Sequence, residues 1–435
     1  MRLGLGLGVD SITSQKIGAG FTGLLDTYTG AVSAYSVRRL SGSYNGSSIK
    51  VRRSSDNTLQ DIGFDANGDL DTTALLAFVN GEHTIADEDF SSSTGWTLAA
   101  GVTISGGVLS CLNSSANSAA YKSFGLFDRV GLKIRVSFTI SNYSGSGTIS
   151  FKKFGNPTFT ETSSDSGTAR SGNGTFTEEL TFSGSTVGNV NWGLQTTGNF
   201  TGDVDDFEVV QITADGTVNI LYDQMGNNDL SNGSASQQPQ IVVGGSVTTK
   251  GGETAIKFNN LEYLQKTSAS TSWVAETNVS IFSVFSCVDF AHVSEATKDT
   301  LYNISGDEIA SGRGNSLVAA SRSSQLRIGF YDEGASSYGQ KQGFQSPTND
   351  TQILVSSIYD STTTITSILN ASTAGIVISN PELSRDANKY TLGANHAGGK
   401  ALDGTIQEFI IWNNDQTDNR DDIAGDMNTY FDIYS

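Results

Sequence analysis

The side chains best able to do chemistry are thinly spread through these 435 residues. Two cysteines, Cys111 and Cys287, and three histidines, His83, His292 and His396, are too few and too far apart in sequence to assemble a zinc centre. The cysteines fall in stretches of different pattern and read as two unpaired, buried thiols rather than a disulfide. Acids are plentiful. DANGDLD (65–71) has the acid spacing of a calcium loop but lacks the Glu that closes a twelve-residue loop, so it reads as a turn followed by a helix cap. YDQMGNNDL (222–230) is loop-forming, because Gly226 permits a positive φ and Asn227, Asn228 and Asp229 can bond their own backbone. Tyr222, Asp223 and Gln224 read there as structural groups. A β-sandwich holds a sugar with an exposed aromatic face for its C–H surface and a few polar side chains for its hydroxyls. Between residues 87 and 212 the candidates for that face are Trp192, Tyr121 and Tyr143, whereas Trp96 and Trp412 read as core or rim.

The elements that must position these groups are short strands and polar turns. Residues 1–30 are Gly-rich and weakly patterned, as in an arm that docks on a neighbour. AYSVRRL (34–40) and IKVRRSS (49–55) read as strands joined through the turn-rich SGSYNGSS as a hairpin. Asp71 is placed to cap a short helix with an apolar face of Leu75, Leu76 and Phe78 or Val79. From residue 87 to 212 the texture changes to evenly spaced strands, LKIRVSFTIS, GTISFKKFG, GTFTEELTFSG, NVNWGLQTT and DVDDFEVVQI, the spacing of a small antiparallel sandwich. A second strand set then resumes and ends in an amphipathic helix from 417 to about 431, with Ile423, Met427, Tyr430 and Phe431 at helical spacing. The expected class is all-β: two antiparallel jelly-roll sandwiches, residues 87–212 inserted into an outer module of 31–86 plus 213–435, and a short C-terminal helix.

Composition narrows the partners. A formal charge of −19 argues against nucleic acid, whose phosphates need clustered Lys and Arg. No apolar run reaches the roughly 20 residues of a membrane helix. The opening MRLGLGLGVDSITSQKIGAG is too broken for a signal-peptide core, so synthesis in a cytoplasm is expected.

Several strings of the outer module share a family pattern. AYSVRRL, IKVRRSSDNTLQDIGF, the helix ending LLAFV, the YDQMGNNDL loop and IKFNNLEYL resemble the catalytic-domain fold of α-L-arabinofuranosidase B and its bacteriophage structural relatives. LDGTIQEFIIWNND resembles the last sheet strand of concanavalin-like and laminin-G-like jelly rolls. Retaining glycosidases need two carboxyls about 5 to 5.5 Å apart. The resemblance places Glu308 or Asp307, in TLYNISGDEIASG, at the nucleophile position, with Glu308 the candidate. It places Asn395 and His396, in LGANHAGGKALDG, where the second carboxylate is wanted, and the nearby Asp403 suits a turn better. Hydrolysis is therefore not expected. The block 87–212 resembles the carbohydrate-binding jelly rolls appended to glycosidases, which implies a Ca²⁺ held by Asp87, Asp89, Asp205 and Asp206; the rival reading makes these acids solvated strand edges that discourage edge pairing.

The resemblance implies a structural protein on a tailed-phage virion surface, a capsid decoration or fibre or a tail or baseplate adhesin, binding host or environmental glycans. Its expected partners are other virion proteins through the N-terminal arm, those glycans, and further copies of the chain. The rivals are an arabinofuranosidase-type glycoside hydrolase and a purely architectural cement.

Overall fold

The structure is a computed structural model that describes residues 21–435 apart from 115–118, 124–132, 155–160, 183–190, 227, 268–277, 291–299, 306–314, 323–324, 333–340, 346, 361–363, 371, 373–375, 380–388, 396–397 and 400. The described residues are mostly antiparallel strands, and their buried apolar side chains form two main clusters, one in each sandwich. The all-β class with a short C-terminal helix holds.

The outer sandwich has a front sheet ordered Leu59–Ile62, Ile49–Arg53, Gly216–Leu221, Gln240–Val243, Ile256–Asn259, Asp403–Trp412, Val279–Cys287, Ile353–Asp360, Thr364–Leu369 and Ile376–Ser379. Its back sheet runs Leu230–Ser231, Leu264–Thr267, Lys389–Leu392, Thr300–Ser305, Asn315–Arg322, Gln325–Asp332 and Lys341–Gln345. Gly216–Leu221 joins the two sheets by also pairing Leu221 with Leu230. Between the layers the Tyr302 ring meets Phe409 at 4.9 Å. Phe282, Ile410 and Trp412 share a cluster with Ile423, Met427 and Phe431 of the helix Arg420–Phe431, which packs on Ile353–Asp360.

Ala31–Ser36 does not form the expected hairpin with Ile49–Arg53. It pairs with Asp403–Trp412, while Ile49–Arg53 pairs with Leu59–Ile62 and Gly216–Leu221. Tertiary partners decide this: Ser36 Oγ donates to Glu408 at 2.7 Å, and Arg38 forks onto the same carboxylate through Nε at 2.8 Å and Nη2 at 3.0 Å. Arg38 also lies 2.8 Å from Asp426 Oδ1 on the helix, with its guanidinium over the Tyr430 ring. Burial disfavours its charge, but Glu408 and Asp426 outweigh that and raise its pKa. The predicted short helix is Thr72–Val79, and Asp71 caps it by accepting from Ala74 N at 2.8 Å.

Two boundaries differ from the sequence reading. Residues 21–30 are not arm: the turn Leu24–Thr27 buries Leu24 and Leu25 in the outer core, and Asp26 clamps Gly23 N, Gly42 N and Ser41 Oγ. His83–Glu88 pairs with Phe200–Gln211 and contributes Ala86 to the inserted core, so that sandwich starts before residue 87. Its two sheets run Glu161–Ser166, Thr148–Phe154, Asn191–Thr197, Ala119–Lys122, Thr97–Leu98, and Gly174–Thr181, Lys133–Gly145, Phe200–Gln211, Val108–Ser114, Val102–Ser105. Alternation along residues 133–140 of Lys133–Gly145 and along Gly174–Thr181 turns one face toward the core and the other toward water.

Candidate functional site

The sites expected from sequence do not assemble. Trp192 is fully buried in the inserted core, stacked on Phe151 at 5.8 Å and edge-on to Phe182 at 4.7 Å, so it offers no face to a sugar. Tyr121 is buried against Phe154 at 5.1 Å. Tyr143 is half-buried, with its ring 5.4 Å from Phe200 and its hydroxyl donating to Gly147 O at 2.9 Å. In all three the aromatic surface completes a core, where it is worth more than on the outside.

The four acids of the calcium expectation do not form a ligand set. Among the described residues no three His, Cys, Asp or Glu side chains gather as a metal site. Asp87 is exposed opposite Glu208, and Asp89 Oδ1 accepts from Ser91 N. Asp206 sits at a register shift in Phe200–Gln211 with φ of 50°, so its amide turns back to Asp205 Oδ1 and its Oδ2 accepts from Thr139 Oγ1. Glu308, Asp307 and His396 lie outside the described residues. Asn395 Oδ1 accepts from Gly399 N within its own turn, and Asp403 Oδ2 accepts from Asn260 Nδ2.

The YDQMGNNDL loop is a staple. Asp223 accepts from Ala34, Met225 and Asn228 amides, Gln224 bridges Leu40 N and Arg38 O, and the Tyr35 hydroxyl donates to Asn228 O at 2.6 Å. Burial first, and then Asp229 and Asp223, push the neighbouring Tyr44 hydroxyl up to about 12.

An open groove of about 380 Å³ lies over the front-sheet residues Thr217 and Gln240, a size that suits a small ligand. Asp215 and Thr217 supply one wall, Ser236 and Gln238 another, and Gln240, Val243 and Glu262 the rest. Each polar group is pinned. Gln238 Oε1 accepts from Thr217 Oγ1 at 2.8 Å and Arg52 Nε at 3.1 Å, while its Nε2 donates to Asn232 O at 2.6 Å. Gln240 Oε1 accepts from Asn259 Nδ2 at 3.0 Å, Asp215 Oδ1 from Gly244 N at 2.8 Å, and Glu262 Oε2 from Asn259 N at 2.6 Å. Carboxamides, hydroxyls and two carboxylates, each fixed by a neighbour, form a preorganised surface for hydroxyl groups. Sequence reasoning missed it because the residues come from three separate stretches, none with a local signature.

No family model matches the chain, and no curated protein matches it. Among solved structures it is similar to a GH54 α-L-arabinofuranosidase soaked with a cyclic sulfate inhibitor, 10% identical with a TM-score of 0.47, covering 93% of this chain and 64% of that one. An arabinofuranosidase complexed with arabinofuranosyl-α-1,2-xylobiose gives 13% and 0.47 over the same shares. The receptor binding domain of botulinum neurotoxin D gives 13% and 0.34 over 49% of each chain. This chain thus spans about two thirds, 64%, of the arabinofuranosidases' length.

Proposed function

We propose that this chain is a surface protein that binds neutral glycans through the groove at Asp215, Thr217, Gln238, Gln240 and Glu262, and that it acts in many copies on a particle such as a tailed-phage virion. The observation that carries the binding reading is the groove's lining, in which side-chain oxygens and carboxamides are held in place, Gln238 among them by Arg52. Asp215 and Glu262, on a chain of net charge −19, repel carboxylated, sulfated or phosphorylated saccharides, which leaves neutral or amino-bearing rings. An open groove grips one ring weakly. Multiple copies raise the effective concentration of each further contact, so a shallow site suits a multivalent surface. The placement on a virion rests on the resemblance of the outer module's strings to phage structural relatives.

The test is a glycan array probed with the chain displayed multivalently on beads, wild type against Gln240→Ala and Thr217→Val. Binding to neutral glycans that falls in both variants supports the reading; a blank array for the multivalent wild type removes it. Cryo-electron microscopy of the particle that carries the chain tests the location, and a chain found only free in solution removes the virion half.

A further inference from the structure

Thr217 and Gln240 of the groove belong to a longer row across the front sheet. Leu59 lies opposite Arg52, Arg52 opposite Thr217, Thr217 opposite Gln240, and Gln240 opposite Lys257. Residues directly opposite in antiparallel pairs share a face. Here it is the outward face, because their sequence neighbours Val51, Val218, Ile241, Ile256 and Phe258 are buried in the outer core. The row is open to water: Leu59 is 43% exposed, Lys257 is exposed, and Arg52, Thr217 and Gln240 are half-buried. Lys257 is the last open member, since it next faces Thr405, which is buried with Ser286, their hydroxyls 2.9 Å apart. Four strand spacings make the open strip about 19 Å long.

The groove occupies the middle of this strip, at Thr217 and Gln240. On one side Arg52, whose Nε is held on Gln238 at 3.1 Å, leads the row out to Leu59; on the other Gln240 leads to Lys257. A ring over Thr217 and Gln240 can therefore carry a neighbour on each side. Leu59 and the methylene stems of Arg52 and Lys257 offer apolar surface to the C–H faces of those neighbours. Between them Thr217, Gln238 and Gln240 offer fixed hydroxyl and carboxamide groups to the central ring. Arg52 and Lys257 balance Asp215 and Glu262, so the strip as a whole has no net charge, which fits an uncharged backbone.

We propose that the groove takes an internal stretch of a linear, uncharged polysaccharide, laid across the strands from Leu59 to Lys257 with its central ring over Thr217 and Gln240. This rests on the reading that the groove binds neutral glycans and deepens it, making Leu59 and Lys257 contacts that a single terminal unit would not use.

The full chain is titrated calorimetrically with the disaccharide and the hexasaccharide of the xylo-, cello- and arabino-oligosaccharide series, as wild type, Leu59→Ser, Lys257→Ala and the groove variant Gln240→Ala. Leu59 and Lys257 are exposed, so their replacement keeps the fold, which equal melting temperatures check. In the responsive series the hexasaccharide binds about twentyfold tighter than the disaccharide, from two flanking contacts worth about fivefold each. Leu59→Ser and Lys257→Ala each give up one of those factors for the hexasaccharide and leave the disaccharide unchanged, whereas Gln240→Ala weakens both lengths alike. Equal affinity for the two lengths overturns the proposal, and a loss in Gln240→Ala then keeps the groove reading standing. A hexasaccharide gain that survives both flanking changes also overturns it, because it then comes from the extra placements a longer chain has on a short site. A wild type that binds none of the oligosaccharides overturns it as well, whatever the glycan array shows.

Discussion

Glu408→Gln tests what locks the helix Arg420–Phe431 to the outer sandwich. Glu408 is fully buried and accepts three hydrogen bonds, from Arg38 Nε at 2.8 Å, Arg38 Nη2 at 3.0 Å and Ser36 Oγ at 2.7 Å. The amide keeps the volume but turns an NH₂ toward the guanidinium, so a donor faces a donor and half of the Arg38 charge balance is gone. Removing one partner of a buried ion pair costs about 3–5 kcal/mol, mostly from the stranded charge. Asp426, partly exposed beside Arg38, holds the loss to the lower part of that range. Replacing both residues, Arg38→Met with Glu408→Leu, removes the charge problem and is expected to cost clearly less than the sum of the single changes. What remains is the guanidinium contact with Tyr430 and Phe431, about 0.5–2 kcal/mol. The assay is urea unfolding followed through Trp412, edge-on to Phe282 at 5.4 Å in the outer core. An additive double variant, or a Glu408→Gln loss under about 1 kcal/mol, a size typical of a solvent-exposed pair, refutes the reasoning.

Other outcomes follow from the same contacts. Burial alone would raise the Asp26 carboxyl, but bonds from Gly42, Gly23 and Ser41 together with Arg39 hold it below its ordinary 3.8. A depressed folded pKa gives stability that is present above the unfolded value and lost as pH falls through the folded one. Protection of the Gly23 and Gly42 amides, taken relative to their intrinsic exchange rate at each pH, should therefore fall as pH drops below the ordinary carboxylate value, and Asp26→Asn should show the lower protection at neutral pH. Burial and then Asp203 push the Cys111 thiol up to about 12, so thiol reagents at pH 8 should label it only when the inserted sandwich opens. Trp192→Ala should destabilise that sandwich by about 3–5 kcal/mol yet leave glycan-array binding through the groove unchanged; binding lost while the fold persists would restore Trp192 as a contact.

Strand periodicity, the Asp71 cap and the spacing of Ile423, Met427 and Phe431 were readable because each is a local rule satisfied by nearby residues. The faces were harder. In NWGLQ the alternation marks two sides, but nothing local says that Trp192 points to Phe151 rather than to water. Pairings that depend on distant residues were not readable at all. Arg38 and Glu408 are 370 positions apart, and that pair helps place Ala31–Ser36 beside Asp403–Trp412 instead of in a hairpin. The groove and the row across the front sheet are likewise products of register, since a Gln, a Thr or a Lys in a strand carries no mark of what stands opposite it.

Insertion, as against a tandem arrangement, has a mechanical consequence for the proposed multivalent binding. The strand that enters the inserted sandwich, His83–Glu88, is hydrogen-bonded along its length to the strand that leaves it, Phe200–Gln211. The chain crosses between modules twice, side by side. The crossing is braced by a fork from Arg135 to Glu82 at 2.8 Å for each arm and by Lys133 N to Thr213 Oγ1. A single flexible linker lets two modules sample many orientations, and each second contact must then repay that lost freedom. Two paired strands have already removed most of it. On the proposed reading, a glycan held in the outer module's groove also sets the orientation of the inserted sandwich, so weak sites copied on a particle would gain more than the same sites on a hinged chain.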